Sequence, residues 1–294
     1  GNDSNSGESW DAALKTIVKA TEKVKPGDEV WVAEGTYAES KTVVNSEGVA
    51  LYGGFAGTES KISERNISAH PTIIDGENAR QCVSNSGVLD GFHITRGKTD
   101  YGGGIDNNGT ATNCAVYNNS SSRDGGGIYN KGTVTNCTVY NNSSSRDGGG
   151  IYNSGTVTNC TVYGNNANDG GGIYNFDGTV TNCISWKNSF GDIGGIGSVK
   201  YSCFGEGDDS NGNFRVNPLF VNTTGDPSTW NLRLQNGSPC VDAGFVKDAP
   251  RMDIDGNKRP GADGKVCMGA YESPDGYEPQ PPRPVLGPFY VSKS

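Results

Sequence analysis

The sequence predicts an all-β fold: a single-stranded, right-handed parallel β-helix (solenoid) with a short N-terminal capping helix. A unit of 23 residues occurs four times, marked by Cys114, Cys137, Cys160 and Cys183, and such units stack on their neighbours. Gly and Asn separate short segments rich in Val, Thr, Ile and Tyr, which is the chemistry of strands and turns. The unit is also shorter than helical repeats, which usually exceed about 30 residues.

The direction of the side chains within one repeat follows from the alternation of residues along a strand. In "GGGIYN" we expect Ile128 to point inward and Tyr129 to point outward. In "TVTNCTVY" both Val134 and Val139 suit the core, but an interval of five residues requires the alternation to break once. We place this break at Asn136, because Asn tolerates the left-handed conformation of a tight bend.

The break in alternation at Asn136 also fixes the direction of the repeat cysteines and of the bend asparagines, each of which stacks on its equivalents in the neighbouring coils. The repeat cysteines face inward, where small buried hydrophobic residues explain them better than a metal or redox site, since neither a CxxC spacing nor a histidine cluster accompanies them. The bend asparagines are expected to form a hydrogen-bonded ladder at one corner, through Asn113, Asn136, Asn159 and Asn182.

The segments around the repeats are less regular. "SWDAALKTIVKAT" predicts a short helix that covers the open N-terminal end, with Ser9 as its cap. Its apolar face is formed by Trp10, Ala13, Leu14, Ile17 and Val18. We expect one β-helix over residues 1–273, made of the cap (1–28), early coils, four regular coils (101–188) and a closing region (214–273), then a Pro-rich linker or surface arm over 274–294.

Composition limits the classes of function. The 294-residue chain has 33% hydrophobic residues and a formal net charge of −9. Nucleic-acid binding needs a basic face, so nucleic acid is excluded as a partner. The sequence contains no apolar run long enough for a transmembrane helix. We expect a monomer, and the start at Gly1 is read as that of a trimmed or mature chain.

Several motifs carry a resemblance to a known group of proteins. They include "GDEVWVAEGTY", "LYGGFAGTES", "GFHITRG", the GGGIY repeats, "NPLFVN", "LRLQNGSPCVDAG", "DIDGNKRPG" and "MGAYE". Nearly the whole chain resembles secreted bacterial β-helix proteins of the pectin-lyase-like superfold, of the choice-of-anchor Q type, with repeats like those of polymorphic outer-membrane proteins. The resemblance implies this fold and a secreted or bacterial envelope location. It implies no single activity, because the superfold hosts lyases, hydrolases, adhesins and inert fibres.

Two residues depart from that group. Its members usually read like "SPAIDAG" and "DIGAYE", whereas this chain has "SPCVDAG" and "VCMGAYE". The departure makes Cys240 and Cys267 candidates for a disulfide bond within the closing region, and the alternative is two separate buried thiols.

Two outward aromatic columns form the best binding surface that the sequence offers. Flat aromatic rings suit sugars, which present CH patches and hydroxyl groups, but tyrosines also stack on a sheet simply to stabilise it. The first column comprises Tyr117, Tyr140, Tyr163 and Trp186, and the second comprises Tyr129, Tyr152 and Tyr174.

Charged residues and threonines form further columns. Arg123 and Arg146 adjoin Asp124, Asp147 and Asp169, which predicts an exposed ladder of salt bridges, with a site for anionic sugar or calcium as the alternative. Each coil also carries a Thr-x-Thr pair, which is typical of strands and is also found in some ice-binding solenoids.

Residues for enzyme chemistry are sparse. A polysaccharide lyase needs a base, and "HITRGKTD" brings His93, Arg96 and Lys98 close in sequence. The acidic loop "GEGDDSNGN" offers Asp208 and Asp209 as carboxylates for a hydrolase or for calcium, the one cofactor considered, although adjacent residues usually point apart.

Together these patterns favour a non-catalytic, adhesin-like surface protein that binds a polysaccharide, a surface glycan or another surface. The alternative is a polysaccharide lyase or a glycoside hydrolase of the same superfold, and ice binding through the threonines is a further hypothesis. Catalytic grooves in solenoids are usually walled by insertions, and residues 101–188 contain few, which favours the binding protein.

Overall fold

The computed structural model describes residues 1–206 and 209–273 and shows a parallel β-helix of the right-handed type with about eight turns. Three parallel sheets, here sheets A, B and C, form its walls, and each strand pairs with the equivalent strand of the coils before and after it. The predicted fold class is confirmed. The expected arm at 274–294 lies outside the described residues.

The strands are short, and consecutive strands of one coil belong to different sheets. Sheet A consists of β1 (Glu29–Ala33), β4 (Ala50–Phe55), β7 (Val88–Asp90), β11 (Thr110–Thr112), β15 (Thr133–Thr135), β19 (Thr156–Thr158), β22 (Thr179–Thr181) and β25 (Ser198–Lys200). Sheet B consists of β2 (Gly35–Tyr37), β5 (Thr72–Asp75), β8 (Phe92–Thr95), β12 (Ala115–Tyr117), β16 (Thr138–Tyr140), β20 (Thr161–Tyr163), β23 (Ile184–Trp186) and β26 (Cys203–Phe204). Sheet C consists of β3 (Val43–Asn45), β6 (Val83–Asn85), β10 (Ile105–Asn107), β14 (Ile128–Asn130), β18 (Ile151–Asn153), β21 (Ile173–Asn175) and β24 (Ile193–Gly195).

Two smaller groups of strands complete the structure. Sheet D is short and parallel and consists of β9 (Lys98–Tyr101), β13 (Ser120–Asp124) and β17 (Ser143–Ser144). The closing region contains the antiparallel pair β27 (Phe220–Asn222) and β28 (Asn231–Leu234). Short 3₁₀ turns lie at Ile62–Glu64, Pro227–Thr229 and Val246–Asp248.

The predicted phase of the repeat is confirmed. Ile128, Val134 and Val139 are fully buried, and Tyr129 points outward and is half-buried. Asn136 adopts a φ of 52°, so the alternation breaks where the bend was expected. The repeat cysteines are fully buried free thiols in the main hydrophobic core, as the interpretation of small buried hydrophobic residues requires.

The expected corner ladder of asparagines forms only in part. Asn136 donates to Asn113 and Asn182 donates to Asn159, each over 3.2 Å. Between these pairs the amides turn to the closing region instead, since Asn136 donates to the carbonyl of Met252 over 2.7 Å and Asn159 donates to that of Cys267 over 3.1 Å. The corner therefore serves as a polar docking line for the closing region.

Two buried asparagine ladders were not predicted. In the first, each side-chain amide donates to the amide oxygen of the next coil over 2.7–2.8 Å, through Asn45, Asn85, Asn107, Asn130, Asn153 and Asn175. In the second, the distances are 2.9–3.0 Å, through Asn119, Asn142, Asn165 and Asn188. The first was visible in the sequence, because the Asn of "IYN" shares the inward phase of the Ile two residues earlier. Buried amides need partners, and the stacked coils supply them.

The N-terminal helix is shorter than predicted. It spans Ile17–Lys23, and the Thr16 side chain caps it by accepting a bond from the Lys19 amide. Ser9 was therefore the wrong cap. Asp3 holds Thr16 in place by accepting a bond from its backbone amide over 2.9 Å, while Trp10 packs on Phe55 at 5.7 Å between ring centroids. The helix does pack on the first coil, against β1 and β3.

The closing region folds back over sheet B. Its residues Phe220, Leu232 and Leu234 join Tyr163 and Ile184 in a second hydrophobic cluster. Arg259 is fully buried there, bound to Glu272 over 2.8 Å and to the Asn136 side chain over 2.9 Å. None of the helices in the described ranges is long and apolar enough to cross a bilayer.

Candidate functional site

The first aromatic column is covered by the closing region. Tyr117 and Tyr140 stack at 5.1 Å between centroids, as equivalent residues of successive coils should. Tyr163, however, is only 5% exposed, because Trp230 meets its ring edge-on at 5.0 Å and Phe220 does so at 5.6 Å.

Trp186 is also half-buried against the second cluster. The prediction that the whole first column offers a sugar-binding face is therefore wrong. The rings do point outward as predicted, but the closing region packs against this face. The repeat sequence carries no signal of that cover.

The second aromatic column remains open. On sheet C, Tyr129 stacks on Tyr152 at 4.9 Å, and Tyr152 stacks on Tyr174 at 5.5 Å. The structure adds two residues that the sequence reasoning missed: Tyr101 extends one end by meeting Tyr129 at 5.4 Å, and Phe176, which is 46% exposed, lies beside the column at 6.1 Å from Tyr152. We call these five residues the open column.

The rings of the open column present their edges rather than their faces. The planes of Tyr129 and Tyr152 differ by 12° and those of Tyr152 and Tyr174 by 23°, so the faces of the inner rings lie against one another. A ligand that lies along the column meets the ring edges, the phenol hydroxyls and the half-exposed Phe176. This arrangement suits repeated hydrogen bonds to sugar hydroxyls and offers ring stacking at Phe176, beside Tyr152.

Cations accompany the first two rings. The Lys131 ammonium lies 5.1 Å from the centroid of Tyr129, and the Arg123 guanidinium lies 5.5 Å from that of Tyr101. Arg123 also donates to the Tyr101 hydroxyl over 2.6 Å.

The expected ladder of salt bridges is absent among the described residues. Arg123 is bound to Tyr101 rather than to a carboxylate, and Asp147 pairs by a backbone bridge with Asp169. Burial and the neighbouring Asp124 and Asp169 raise the pKa of Asp147, with a smaller opposing effect of Arg146. The physical reason is the register of the coils. Stacking places each aspartate next to the equivalent aspartate of the next coil, as with Asp147 and Asp169, rather than next to an arginine.

The charges of the aspartates also affect the pKa values of tyrosines in the open column. Burial raises the pKa of Tyr152 to about 12, with further contributions from Tyr129, Asp124 and Asp147. Burial raises the pKa of Asp106 as well, and one of its carboxylate oxygens is buried without a protein partner. Because their pKa values are raised, the hydroxyls of Tyr129, Tyr152 and Tyr174 are protonated at neutral pH and can donate and accept hydrogen bonds.

The lyase candidates lie along one turn. Arg96, at a φ of 53°, donates from Nε to Asp75 over 2.8 Å, and this bond raises its pKa. A guanidinium held by a carboxylate is a poor base, which weighs against that role. His93 lies on sheet B with its ring edge-on to Tyr117 at 6.2 Å, whereas Lys98 is exposed on sheet D.

The calcium candidates gain no support from geometry. Asp209 is exposed, and Asp208 lies outside the described residues. A different cluster brings ligand atoms of Asp242, Cys267 and Glu272 within 4.8 Å of one another. Glu272 is already occupied there, because Arg259 binds one of its oxygens and the Cys267 amide donates to the other over 3.0 Å.

The suggested disulfide between Cys240 and Cys267 is not formed. Both are free, fully buried thiols. The sulfur of Cys267 accepts a bond from the Ser273 amide over 3.4 Å and lies within 4.8 Å of carboxylate oxygens of Asp242 and Glu272.

The threonine columns do not form one open grid. Thr156 and Thr179 are exposed on sheet A, but Thr158 and Thr181 are only 8% and 7% exposed. Because the second threonine of each pair is buried, the pairs of the last coils do not present two parallel rows to ice.

Comparison with known proteins gives two results. The model of the Chlamydia polymorphic membrane protein repeat matches residues 113–131 and 136–154. The crystal structure of pectate lyase Pel9A aligns with a TM-score of 0.49 and 15% sequence identity, over 92% of this chain and 94% of that chain. No protein with curated annotation matches the chain. The matched residues include Tyr129 and Tyr152 of the open column.

Proposed function

We propose that this chain is a non-catalytic protein of the outer membrane or cell surface that binds polysaccharide along the open column. The observation that carries the proposal is the row of aromatic rings that runs from Tyr101 on sheet D through Tyr129, Tyr152 and Tyr174 on sheet C, with neighbouring centroids 4.9–5.5 Å apart. The match of the repeats to those of a Chlamydia polymorphic membrane protein supports the surface location.

The repeat geometry suits a polymer better than a small molecule. A phenol hydroxyl recurs once per coil at Tyr129, Tyr152 and Tyr174, so a chain of sugars that runs along the axis meets the same group at every coil. Each contact contributes little, about 1 kcal/mol for a hydrogen bond. Several contacts in series give useful affinity, since links along one polymer act at high effective concentration.

The charges beside the column narrow the class of polysaccharide. Burial raises the pKa of Tyr174, with smaller contributions from the charges of Asp147, Asp169 and Asp124. A polyuronate would place further carboxylates against these aspartates, and like charges at short range repel. Neutral glycans and amino sugars meet no such penalty, so we expect the order of affinity to be amino sugar, neutral glycan and then polyuronate.

Binding to insoluble or immobilised polysaccharides tests the proposal. The panel contains a neutral glucan, chitosan and polygalacturonate, at low and high salt, with ultraviolet absorbance recorded to detect unsaturated uronates. We expect a Tyr152→Ala plus Tyr174→Ala variant to bind at least about 10-fold more weakly than the wild type, from the loss of two contacts of about 1 kcal/mol each.

Tyr52→Ala is the matched control. Tyr52 also points outward from a parallel sheet and lies 5.2 Å from the Arg65 guanidinium, but it belongs to sheet A. We expect this variant to bind as the wild type does. Unchanged binding by the double variant would overturn the role of the open column, and a rise in absorbance would overturn the absence of catalysis.

A further inference from the structure

The two ends of the solenoid differ in how they are covered. At the N-terminal end, the helix Ile17–Lys23 packs on β1 and β3, and its residues Ile17 and Val18 are buried in the main core. At the other end, sheet C finishes at β24 and sheet A finishes at β25. No helix of the described residues packs on these two strands.

The last layer of the core is only partly buried. Ile193 of β24 and Val199 of β25 pack against the main core and are half-buried. Their partners one coil earlier, Ile173 and Val180, are 0% exposed. The difference arises because each layer of a solenoid is buried by the layers on both sides of it. A further segment of chain above β24 would bury the last layer in the same way.

The strand β24 is also an edge of sheet C. Among the described residues its only strand neighbour is β21. The loop that follows β26 binds on either side of β24, since Glu206 accepts from the Asp192 amide over 2.9 Å and Asn213 donates to the Val199 carbonyl over 3.0 Å. An edge of this kind presents N–H and C=O groups with which a second extended segment can pair.

Exposed apolar side chains flank this edge. Phe190, which precedes β24, is 71% exposed, and Ile196, which follows it directly, is 88% exposed. The residues that directly follow the sheet C strands of the middle coils are instead polar, namely Asn108, Lys131 and Ser154. Large apolar residues grouped at a surface mark a site of interaction. The change from polar to apolar residues at the last coil therefore indicates that another segment covers this end.

We propose that residues 288–294, with the sequence PFYVSKS, pair with β24 as one further strand of sheet C. Phe289, Tyr290 and Val291 are residues that favour strands. Their side chains supply the apolar surface that Phe190 and Ile196 lack.

The length of the chain beyond Ser273 allows this contact. Ser273 is held beside the coil of Asn159, because its amide donates to the Cys267 sulfur over 3.4 Å and Asn159 donates to the Cys267 carbonyl over 3.1 Å. β24 belongs to the second coil beyond β18 in sheet C, which is about 10 Å along the axis at ~4.8 Å per coil. Residues 274–287 can span up to about 45 Å when extended. The inference is independent of polysaccharide binding.

Hydrogen exchange of the full chain tests the pairing. The variant Tyr290→Pro plus Val291→Pro removes two backbone N–H groups. Adjacent residues of a strand direct these groups to opposite sides, so one of the two faces β24 in either register. We expect the amides of the peptide 190–200 to exchange at least about 10-fold faster in this variant than in the wild type, as measured by mass spectrometry.

Val285→Pro plus Leu286→Pro is the matched control, because it adds two prolines to the same part of the chain outside residues 288–294. It should leave the exchange of the peptide 190–200 unchanged. Equal exchange in all three proteins, or faster exchange in the control as well, would overturn the proposal. Protection that is lost when the wild type is diluted, together with a dimer in light scattering, would assign the edge to a second copy and reject the proposal too.

Thermal unfolding tests the same contact from the side of the solenoid. An exposed side chain contributes little to stability, whereas a covered apolar one contributes through its burial. We expect Ile196→Ser to lower the unfolding temperature by about 2 °C in the wild type, but by less than about 1 °C in the Tyr290→Pro plus Val291→Pro background. Equal losses in the two backgrounds would show that residues 288–294 do not cover Ile196, which contradicts the proposal.

Discussion

The two aromatic columns arise from the same repeat, but the closing region covers the first and leaves the second exposed. Both supply one ring per coil, and both stack at nearly the same distance, 5.1 Å for Tyr117 and Tyr140 and 4.9 Å for Tyr129 and Tyr152. Yet Tyr163 is 5% exposed under the closing region, whereas Phe176, which lies beside Tyr152 in the open column, is 46% exposed. An outward direction in a solenoid therefore indicates a surface position only where no aperiodic segment returns to cover it.

Hydrogen bonds to the bend asparagines explain why the closing region docks at one position on sheet B. A run of identical rings offers the same apolar contact at every coil and so specifies no single position. The bend asparagines supply the position: Asn136 binds Arg259, Asn159 binds the carbonyl of Cys267, and Asn182 accepts from the Phe245 amide over 2.7 Å. Buried polar groups left without these partners would be costly, so the docking has one register.

The largest expected effect comes from the buried ion pair of Arg259 and Glu272 in the closing region. Arg259→Leu leaves Glu272 as an uncompensated buried carboxylate and should reduce the free energy of unfolding by about 3–5 kcal/mol, measured by denaturant titration at pH 7. Burial already raises the pKa of Glu272. A raised pKa means that the ionised form is the destabilised one, so the loss should shrink as the pH falls and Glu272 is protonated.

The matched variant for this pair is Arg259→Leu combined with Glu272→Gln. Removing the unpaired charge should recover part of the lost stability. A double variant as unstable as the single one would show that the bonds of Arg259 to Asn136 and Gly269, rather than the charge of Glu272, dominate.

The second effect compares the columns directly. Tyr163→Ala removes a ring that contacts Trp230 and Phe220 and should cost about 3 kcal/mol of stability through the cavity it leaves. Tyr152→Ala on the open column should cost about 1 kcal/mol or less, as cross-strand pairs contribute. Equal losses in thermal or chemical unfolding would contradict the distinction between a covered and an open column.

The Tyr152→Ala and Tyr163→Ala variants should also differ in their affinity for polysaccharide. Tyr152→Ala is expected to weaken polysaccharide binding about 5-fold, from the loss of one contact of about 1 kcal/mol. Tyr163→Ala, assayed well below its unfolding temperature, should retain the affinity of the wild type. The measurement is the depletion of protein by immobilised chitosan. Weaker binding by Tyr163→Ala alone would assign the function to sheet B.

The smallest effect concerns the aspartates beside the open column. The pKa of Asp147 is raised, so its ionised form destabilises the fold above that pKa, and the penalty is absent below the unfolded value of about 3.9. Asp147→Asn should therefore raise stability at pH 7 by about 0.3–0.5 kcal/mol, since the site is partly solvated. The gain should disappear near pH 3 in paired melting curves, and a gain that persists there would point to a cause other than charge.

Much of the regular region was predictable because its signals are local. The inward direction of Ile128, the bend at Asn136 and the burial of Cys137 all follow from alternation within a few residues. The helix start was missed because Asp3, far from Thr16 in sequence, holds the capping residue. The corner ladder was expected to be continuous because the sequence does not reveal the backbone carbonyls that compete for its amides.

The sequence by itself determined the repeat, the stacking of equivalent residues and the two outward columns, because translation by one coil brings each residue against its own copy. Only the tertiary structure decided which column stays open and where the closing region docks. Those outcomes depend on contacts such as Asn136 with Arg259, 123 residues apart. The closing region is aperiodic, so no pattern along the chain predicts where it docks. Its docking position depends on the shape and the hydrogen-bonding groups of the folded surface.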